Sequence, residues 1–196
     1  VERDGKVTGE LHEELPADLP THTKDAPQLF FGVMAPWNRA YRRTLFTEGG
    51  IRFATKVWYE DIRIVTKVLA LAGQVVRLPG AYYALPIYRG SPNCARNVEI
   101  LYAFDDILGW FGEHGLREAY RDELTFLAIS HLLIAASVRV ARIDCKSELL
   151  GQFRDYMEKN FPDFRENRYL PRLDRNKRLV YRLLIVFRAL IIFFLQ

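Results

Sequence analysis

The sequence predicts an α+β protein that is mainly helical. Residues 75–78 and 81–85 have the length and the valine and tyrosine content of two short strands, and Pro79-Gly80 between them favours a turn. After Asn97, apolar residues recur with helical spacing except in residues 161–174, which have no period. Hydrophobic residues make up 49% of the 196-residue chain, which is enough for one large core or two small ones.

The other elements of the first hundred residues are expected to be short. Residues 1–27 contain three prolines and no periodicity, which favours an extended or loop conformation. The apolar run 29–34 is typical of a buried strand, and residues 38–45 suit a short helix. A stronger helix begins at Glu60 and should end at Gly73. Its apolar face is formed by Ile62, Val65, Leu69 and Ala72, and is widened by Ile64, Val68 and Leu71.

Four helices are expected after Asn97. The first has an apolar stripe between Ile100 and Phe111 and should end at Gly115. The other three cover residues 117–142, 146–160 and 176–195. Because the character of the chain changes here, we expect two domains, residues 1–95 and residues 96–196.

The net charge of +4 favours anionic partners such as phosphate groups or acidic lipid. Because 24 acidic residues accompany the 28 basic ones, no nucleic-acid partner is expected.

Cys94 and Cys145 have no metal-ligand spacing, which is typical of free thiols in a reducing cytosol. His131 lies in an apolar helical stretch, where it is either a packed core residue or a ligand. Residues 1–20 lack the apolar segment of a secretory signal, so a cytoplasmic location is expected.

Residues 35–46 read Ala-Pro-Trp-Asn-Arg-Ala-Tyr-Arg-Arg-Thr-Leu-Phe, and Gly-Ile-Arg-Phe (50–53) and Trp-Tyr-Glu-Asp-Ile (58–62) follow. In residue type, order and spacing, this pattern resembles the acceptor-side half of inverting family-2 glycosyltransferases of the GT-A type. In that family the Trp-Asn stretch precedes an Ile-x-Phe loop and a helix that opens with Glu-Asp, whose Asp is the usual catalytic base. The resemblance implies that residues 1–95 are the acceptor-side part of a catalytic domain and that residues 96–196 are a helical accessory domain.

Asp61 has the chemistry that inverting sugar transfer requires, because one carboxylate must take the proton from the attacking hydroxyl. A carboxylate at a helix start lies near the positive end of the helix dipole, which favours its ionised form. Glu60 would hold the loop or an acceptor hydroxyl. The structural alternative for both residues is that they are ordinary acidic residues of a first helical turn.

The candidate contacts to sugar and phosphate in the first motif are Trp37, Asn38, Arg39, Tyr41 and Arg42. An aromatic face such as that of Trp37 complements the C–H face of a pyranose, although a buried core position suits a tryptophan as well. In the resemblance, this segment lies under the donor sugar and pyrophosphate, which Arg39 or Arg42 would neutralise. Surface salt bridges are the alternative for these arginines.

The family often has an Arg-x-Arg-x-x-Ser tract that closes over the diphosphate. Here Leu85 and Ile87 stand at the expected arginine positions, so that Arg89 and Ser91 are the remaining candidates for this role. A Gly-Ser turn is the alternative interpretation of the same loop. The chain also lacks the Gln-x-x-Arg-Trp motif of processive synthases, which argues against long homopolymer synthesis.

The family's first half is a nucleotide-binding βαβ region that ends in an Asp-x-Asp motif, and no segment of this chain matches it. The resemblance implies a fragment of an enzyme that transfers a sugar from a nucleotide diphosphate to a hydroxyl acceptor in cell-surface polysaccharide or glycolipid synthesis. A divalent metal, Mg or Mn, would be bound by the other half, and the fragment alone should be inactive. The alternative function is a non-catalytic helical interaction or membrane-docking module.

Four arginines in and directly before the last predicted helix share one side of it, while apolar residues fill most of the rest. They are Arg175, Arg178, Arg182 and Arg188. The apolar stretch 183–195 is shorter than the roughly 20 residues that span a bilayer. This helix is therefore expected to lie on an anionic membrane, to pack in the core, or to form a homodimer contact.

Overall fold

The computed structural model describes residues 2–3, 6–7, 15, 18–32, 34–80 and 95–186. Within these ranges the chain is mainly helical, as the sequence predicts. The chain folds into two compact units: unit 1 comprises Val1–Lys56 and Glu60–Ser91, and unit 2 comprises Val57–Tyr59 and Pro92–Gln196. The predicted strand 81–85 and the residues Arg89, Ser91, Cys94 and Arg188 lie outside the described residues.

The strands in the described part of unit 1 are each two residues long. They are β1 (Glu2–Arg3), β2 (Lys6–Val7), β3 (Thr21–His22) and β4 (Gln74–Val75). β1 pairs with β2 and β3 pairs with β4, both antiparallel, and Thr21 lies opposite Val75. The predicted strand 75–78 is therefore wrong in its extent. Beyond Val75, Arg77 forms a single bridge, and its carbonyl accepts a hydrogen bond from the Asp18 N–H at 2.8 Å.

Two predictions for residues 29–45 are wrong, and proline accounts for both. Pro27–Phe30 form a 3₁₀ turn instead of a strand, because Pro27 fixes the φ angle at the first helical position. Residues 38–45 do not form one helix. Pro36–Asn38 are a second 3₁₀ turn, the extended Arg39 ends it, and α1 (Thr44–Thr47) begins separately.

Helix α2 (Glu60–Leu71) is the centre of unit 1. Its apolar face is buried as predicted, through Ile62, Ile64, Val65, Val68 and Leu69. Gly73 follows with a φ angle of 65°, a left-handed conformation that ends the helix. The two 3₁₀ turns and α1 pack against α2, and so its burial determines their arrangement.

The helices of unit 2 agree closely with the periodicity. They are α3 (Glu99–Glu113), α4 (Arg121–Ala128), α5 (Ser137–Ala141), α6 (Leu149–Asn160) and α7 (Arg175–Val186). Gly115 has a φ angle of 66° just beyond α3, as predicted. A π-helical segment, Ile129–Ala136, joins α4 to α5 without a break, and the periodicity does not predict this wider winding.

The core of unit 2 forms around the continuous helical run Arg121–Ala141. Fully buried side chains of α3 and α6, such as Phe104 and Phe153, belong to the same core. Among the described residues, this run is the one helix long and apolar enough to cross a membrane, but 72% of its most apolar window is buried within the protein. The central helix of a helical bundle has the same properties.

A buried carboxylate connects the segment after α6 to α4. Glu123 accepts hydrogen bonds from the Tyr169 hydroxyl at 2.6 Å and from Arg168 Nη2 at 3.1 Å. Asn167 Nδ2 donates to the Asp122 carbonyl at 2.9 Å. Burial, and then the bond to Glu123, raise the pKa of Tyr169 to about 12, so this hydroxyl remains a donor at neutral pH.

The described part of α7 packs one face into unit 2, against the π-helical segment. Tyr181 and Leu184 are buried, whereas Arg175, Arg178 and Arg182 are exposed. Arg178 Nη2 donates to the Pro171 carbonyl at 2.9 Å, and so this arginine also stabilises the loop before the helix. Core packing is therefore present, while lipid binding and homodimer formation by this helix stay predictions.

Gly49→Ala should destabilise the protein. A Cβ atom at this position would lie 2.4 Å from the Leu45 carbonyl oxygen and 2.5 Å from Leu71 Cδ1. Because a backbone oxygen cannot move aside freely, we expect a loss of roughly 1–3 kcal/mol in the free energy of unfolding, measured by urea denaturation. The control is Gly151→Ala in α6, where a Cβ meets no atom within 4 Å. Equal midpoints for the two variants would contradict the close approach at Gly49.

Leu184→Ala should destabilise unit 2, because this side chain is only 4% exposed. The expected loss is about 2–4 kcal/mol in the free energy of unfolding. Leu179→Ala on the same helix is the matched control, since Leu179 is 50% exposed and its truncation should cost under about 0.5 kcal/mol. Similar thermal midpoints for both variants would mean that α7 does not pack into the core.

Candidate functional site

The two acidic residues of the motif are the first two residues of α2, and both are partly buried. Asp61 Oδ1 accepts a hydrogen bond from the backbone N–H of Ile62, at 2.7 Å. A carboxylate that accepts such a bond has a restricted orientation. The structure therefore holds the Asp61 carboxylate at the start of the helix.

Trp37 and Asn38 lie in the 3₁₀ turn Pro36–Asn38, which packs against α2. The fold thus brings the Trp-Asn motif and the helix that begins with Glu-Asp into one layer of unit 1. Trp37 is 39% exposed, so it is not a buried core tryptophan. Asn38 Oδ1 is buried and has no hydrogen-bond partner in the described part of the chain. A buried acceptor in this state gains free energy when a donor binds to it.

The other candidates in this motif have different environments. Arg39 Nη1 donates to the Ala35 carbonyl at 3.2 Å, and thereby stabilises its own turn. The Tyr41 ring makes an edge-to-face contact with Phe46, with centroids 5.7 Å apart. Arg42 is exposed. Of the two predicted phosphate contacts, Arg42 is therefore the more accessible.

Trp58 belongs to unit 2, although it lies only two residues before Glu60 in the sequence motif. Its backbone N–H donates to Glu99 Oε2 at 2.7 Å. The Arg96 guanidinium forms an ion pair with the same Glu99 carboxylate and lies 5.0 Å from the centroid of the Trp58 ring. This cation–π contact and the charge-assisted hydrogen bonds fix Trp58 in unit 2.

Tyr59 is held in unit 2 by a second cluster. Its hydroxyl donates to Asn97 Oδ1 at 3.0 Å and accepts from Arg139 Nη2 at 3.0 Å. Arg139 Nε also donates to Asn97 Oδ1, at 3.3 Å, and Asn97 is buried. Sequence reasoning missed both clusters. Asn97 and Arg139 are 38 and 80 residues away from Tyr59, so no local spacing could have indicated them.

His131 lies on the π-helical segment and is partly buried. Burial, and then the charges of Arg139 and Lys177, lower its pKa to about 4, so this imidazole is neutral at pH 7. Within the described residues, no group of three or more His, Cys, Asp or Glu side chains could hold a metal ion. The resemblance assigns the divalent metal to the other half of the enzyme, and that assignment stays a prediction.

A cleft of about 710 Å³ lies in unit 2, between α4 and the segment that follows α6. Its walls combine charged and apolar side chains, among them Arg117, Asp122, Leu124 and Phe161. Arg121 forms an ion pair with Asp163 on its rim. Sequence reasoning did not find this cleft, because its walls come from segments that are distant along the chain and carry no motif.

Comparison with known proteins finds no match to this chain among family models, curated proteins or solved structures. The family resemblance therefore depends on the motif residues alone.

His131 should make the stability of unit 2 depend on pH. The pKa of about 4 in the folded state is below the ordinary value of 6.5, so the unfolded chain takes up this proton first. The stabilisation is complete above pH 6.5 and decreases as the pH falls toward 4, by up to about 3 kcal/mol. His131→Leu should remove this part of the pH dependence in chemical denaturation, whereas exposed His22→Gln should keep it. An unchanged pH profile in His131→Leu would show that the imidazole is not protected from protonation.

Proposed function

We propose that this chain supplies the acceptor side of an inverting glycosyltransferase that uses a nucleotide-diphosphate sugar. One structural observation supports this proposal in addition to the sequence motif. The turn that holds Trp37 and Asn38 packs against the helix that opens with Glu60 and Asp61. A sugar platform and a general base that take part in one transfer reaction must share one region of the fold.

Asp61 is the base in this proposal. Its carboxylate takes the proton of the acceptor hydroxyl while the hydroxyl oxygen forms a bond to the anomeric carbon of the donor sugar. The bond from that carbon to the diphosphate breaks on the opposite face, and the nucleoside diphosphate leaves with the electron pair. The hydrogen bond from the Ile62 N–H orients the carboxylate. Glu60 holds an acceptor hydroxyl beside it.

The Trp-Asn turn positions the sugar in the same proposal. The partly exposed indole of Trp37 packs against the C–H face of a pyranose ring. The side-chain amide of Asn38, a residue that is partly exposed, forms a hydrogen bond with a sugar hydroxyl. Arg42 approaches the diphosphate, and Arg39 keeps the turn in shape through its bond to Ala35. The donor half and its divalent metal would come from another region of the protein.

A non-catalytic interaction module is the second candidate function. The observation that favours it is that unit 2 forms its own core and contains only Trp58 and Tyr59 of the motif. In this case the cleft between α4 and the segment after α6 is the natural binding surface. Asp61 is essential for the first candidate function, sugar transfer, and has no role in the second.

Asp61→Asn should lower kcat by roughly two to four orders of magnitude in the full-length protein, because the amide cannot accept the proton. Donor binding should change little, since the substitution preserves the shape of the side chain. The measurement is sugar transfer from nucleotide-diphosphate donors, with Asp25→Asn as the control at an exposed site of the same unit. If Asp61→Asn retains wild-type turnover, Asp61 is an ordinary helix-start residue. If the wild-type protein transfers no sugar, the interaction module is the better function.

A further inference from the structure

Three aromatic rings of unit 1 are joined by ring contacts, and exposed arginines lie close to them in the sequence; we call this part of unit 1 the Phe53 surface. It consists of Tyr41, Arg43, Phe46, Arg52 and Phe53. We propose that the Phe53 surface docks unit 1 onto a bilayer that contains anionic lipid. This inference does not depend on sugar transfer, because it concerns where the protein is located and not what it catalyses.

The aromatic part of the surface is fixed by ring contacts. Phe53 stacks on Phe46 with centroids 6.1 Å apart and ring planes 15° apart, and Tyr41 contacts the ring of Phe46 edge-on. Ile51 is only 3% exposed and anchors the loop, yet Phe53 is 49% exposed two residues later. The large apolar side chain of Phe53 is thus held at the surface. Its exposure to water is unfavourable, and its transfer into an apolar environment is favourable.

The Phe53 surface also has a basic part. Two exposed arginines lie close to these rings along the chain: Arg52 directly precedes Phe53, and Arg43 lies three residues before Phe46, at the start of α1. Within the described residues, neither side chain forms a hydrogen bond or an ion pair. Glu48 is the one acidic residue between positions 41 and 53, so this stretch of the chain has a net positive charge.

This combination favours lipid over nucleic acid. Proteins that bind single strands offer open aromatic faces on which bases stack. Here one face of Phe53 is already covered by Phe46. Insertion at the boundary between headgroups and acyl chains requires only exposed apolar volume beside basic groups, and anionic headgroups attract the arginines. The Phe53 surface meets both requirements.

The experiment is co-sedimentation of the full chain with phosphatidylcholine vesicles, with and without phosphatidylglycerol. We expect binding to the anionic vesicles only, and weaker binding at high salt. Phe53→Ser should lower the association constant about fivefold, through lost apolar burial. Arg43→Gln/Arg52→Gln should lower it by roughly tenfold or more. The double variant removes no ring contact, so it tests the proposal even if Phe53→Ser is poorly folded.

Each variant has a matched control. Leu78→Ser removes an apolar side chain that is 61% exposed in the same unit, and should bind like the wild type. Arg175→Gln/Arg182→Gln removes the same charge from α7, and should lower vesicle binding less than Arg43→Gln/Arg52→Gln does.

The proposal is overturned if the wild type does not bind the vesicles, or if both Phe53-surface variants bind like the wild type. It is also overturned if the α7 variant loses as much vesicle affinity as the Phe53-surface variants, or more. If a single-stranded oligonucleotide releases the wild-type protein from vesicles and this release depends on Phe53, the surface binds nucleic acid instead.

Discussion

In each unit, one helix buries most of its side chains, and this burial arranges the surrounding elements. Burying one aliphatic side chain contributes about 1.5–3 kcal/mol, and α2 buries several of them. A four-residue helix such as α1, or a single 3₁₀ turn, is not stable alone, because nucleation costs more than so few hydrogen bonds return. These elements therefore persist because they cover α2. The exposed ring of Trp37 is placed by a turn whose stability comes from the α2 face.

Unit 2 has the same organisation around the run Arg121–Ala141, but polar contacts complete it. The segment 57–59 joins this unit through hydrogen bonds and cation–π contacts to Arg96, Asn97 and Arg139. Arg139 extends from α5, directly after the π-helical segment. A π-helical winding shifts the direction of every later side chain relative to an α-helix. The orientation of Arg139 toward Tyr59 thus depends on a local irregularity that apolar periodicity cannot encode.

The sequence predicted those elements whose cause is local. The faces of α2 and α3 and the stops at Gly73 and Gly115 follow from helical spacing and from glycine at positive φ. The apolar run 29–34 predicts a strand, whereas its first two residues complete the turn Pro27–Phe30, because a short apolar run has the same composition in either state. At the candidate site, the sequence located the acidic pair at a helix start. It could not reveal that the Trp-Asn turn packs on that helix, or that Arg39 bonds to Ala35, since both depend on tertiary contacts.

The excess positive charge is unevenly distributed over the described residues. In unit 2, Arg96, Arg121, Arg165 and Arg168 each form an ion pair with a carboxylate. Exposed pairs of this kind contribute only about 0–1 kcal/mol each, so their larger effect is to neutralise the surface. Exposed arginines without such pairs include Arg43 and Arg52 of unit 1, Arg117 and Arg142 of unit 2, and Arg175 and Arg182 of α7. On α7, Tyr181 and Leu184 turn into the core, whereas in unit 1 the aromatic ring of Phe53 stays outside. An exposed charge and an exposed apolar ring are therefore adjacent in the sequence of unit 1, at Arg52 and Phe53. An anionic interface attracts the first and can bury the second, whereas a surface that is only basic offers the charge alone.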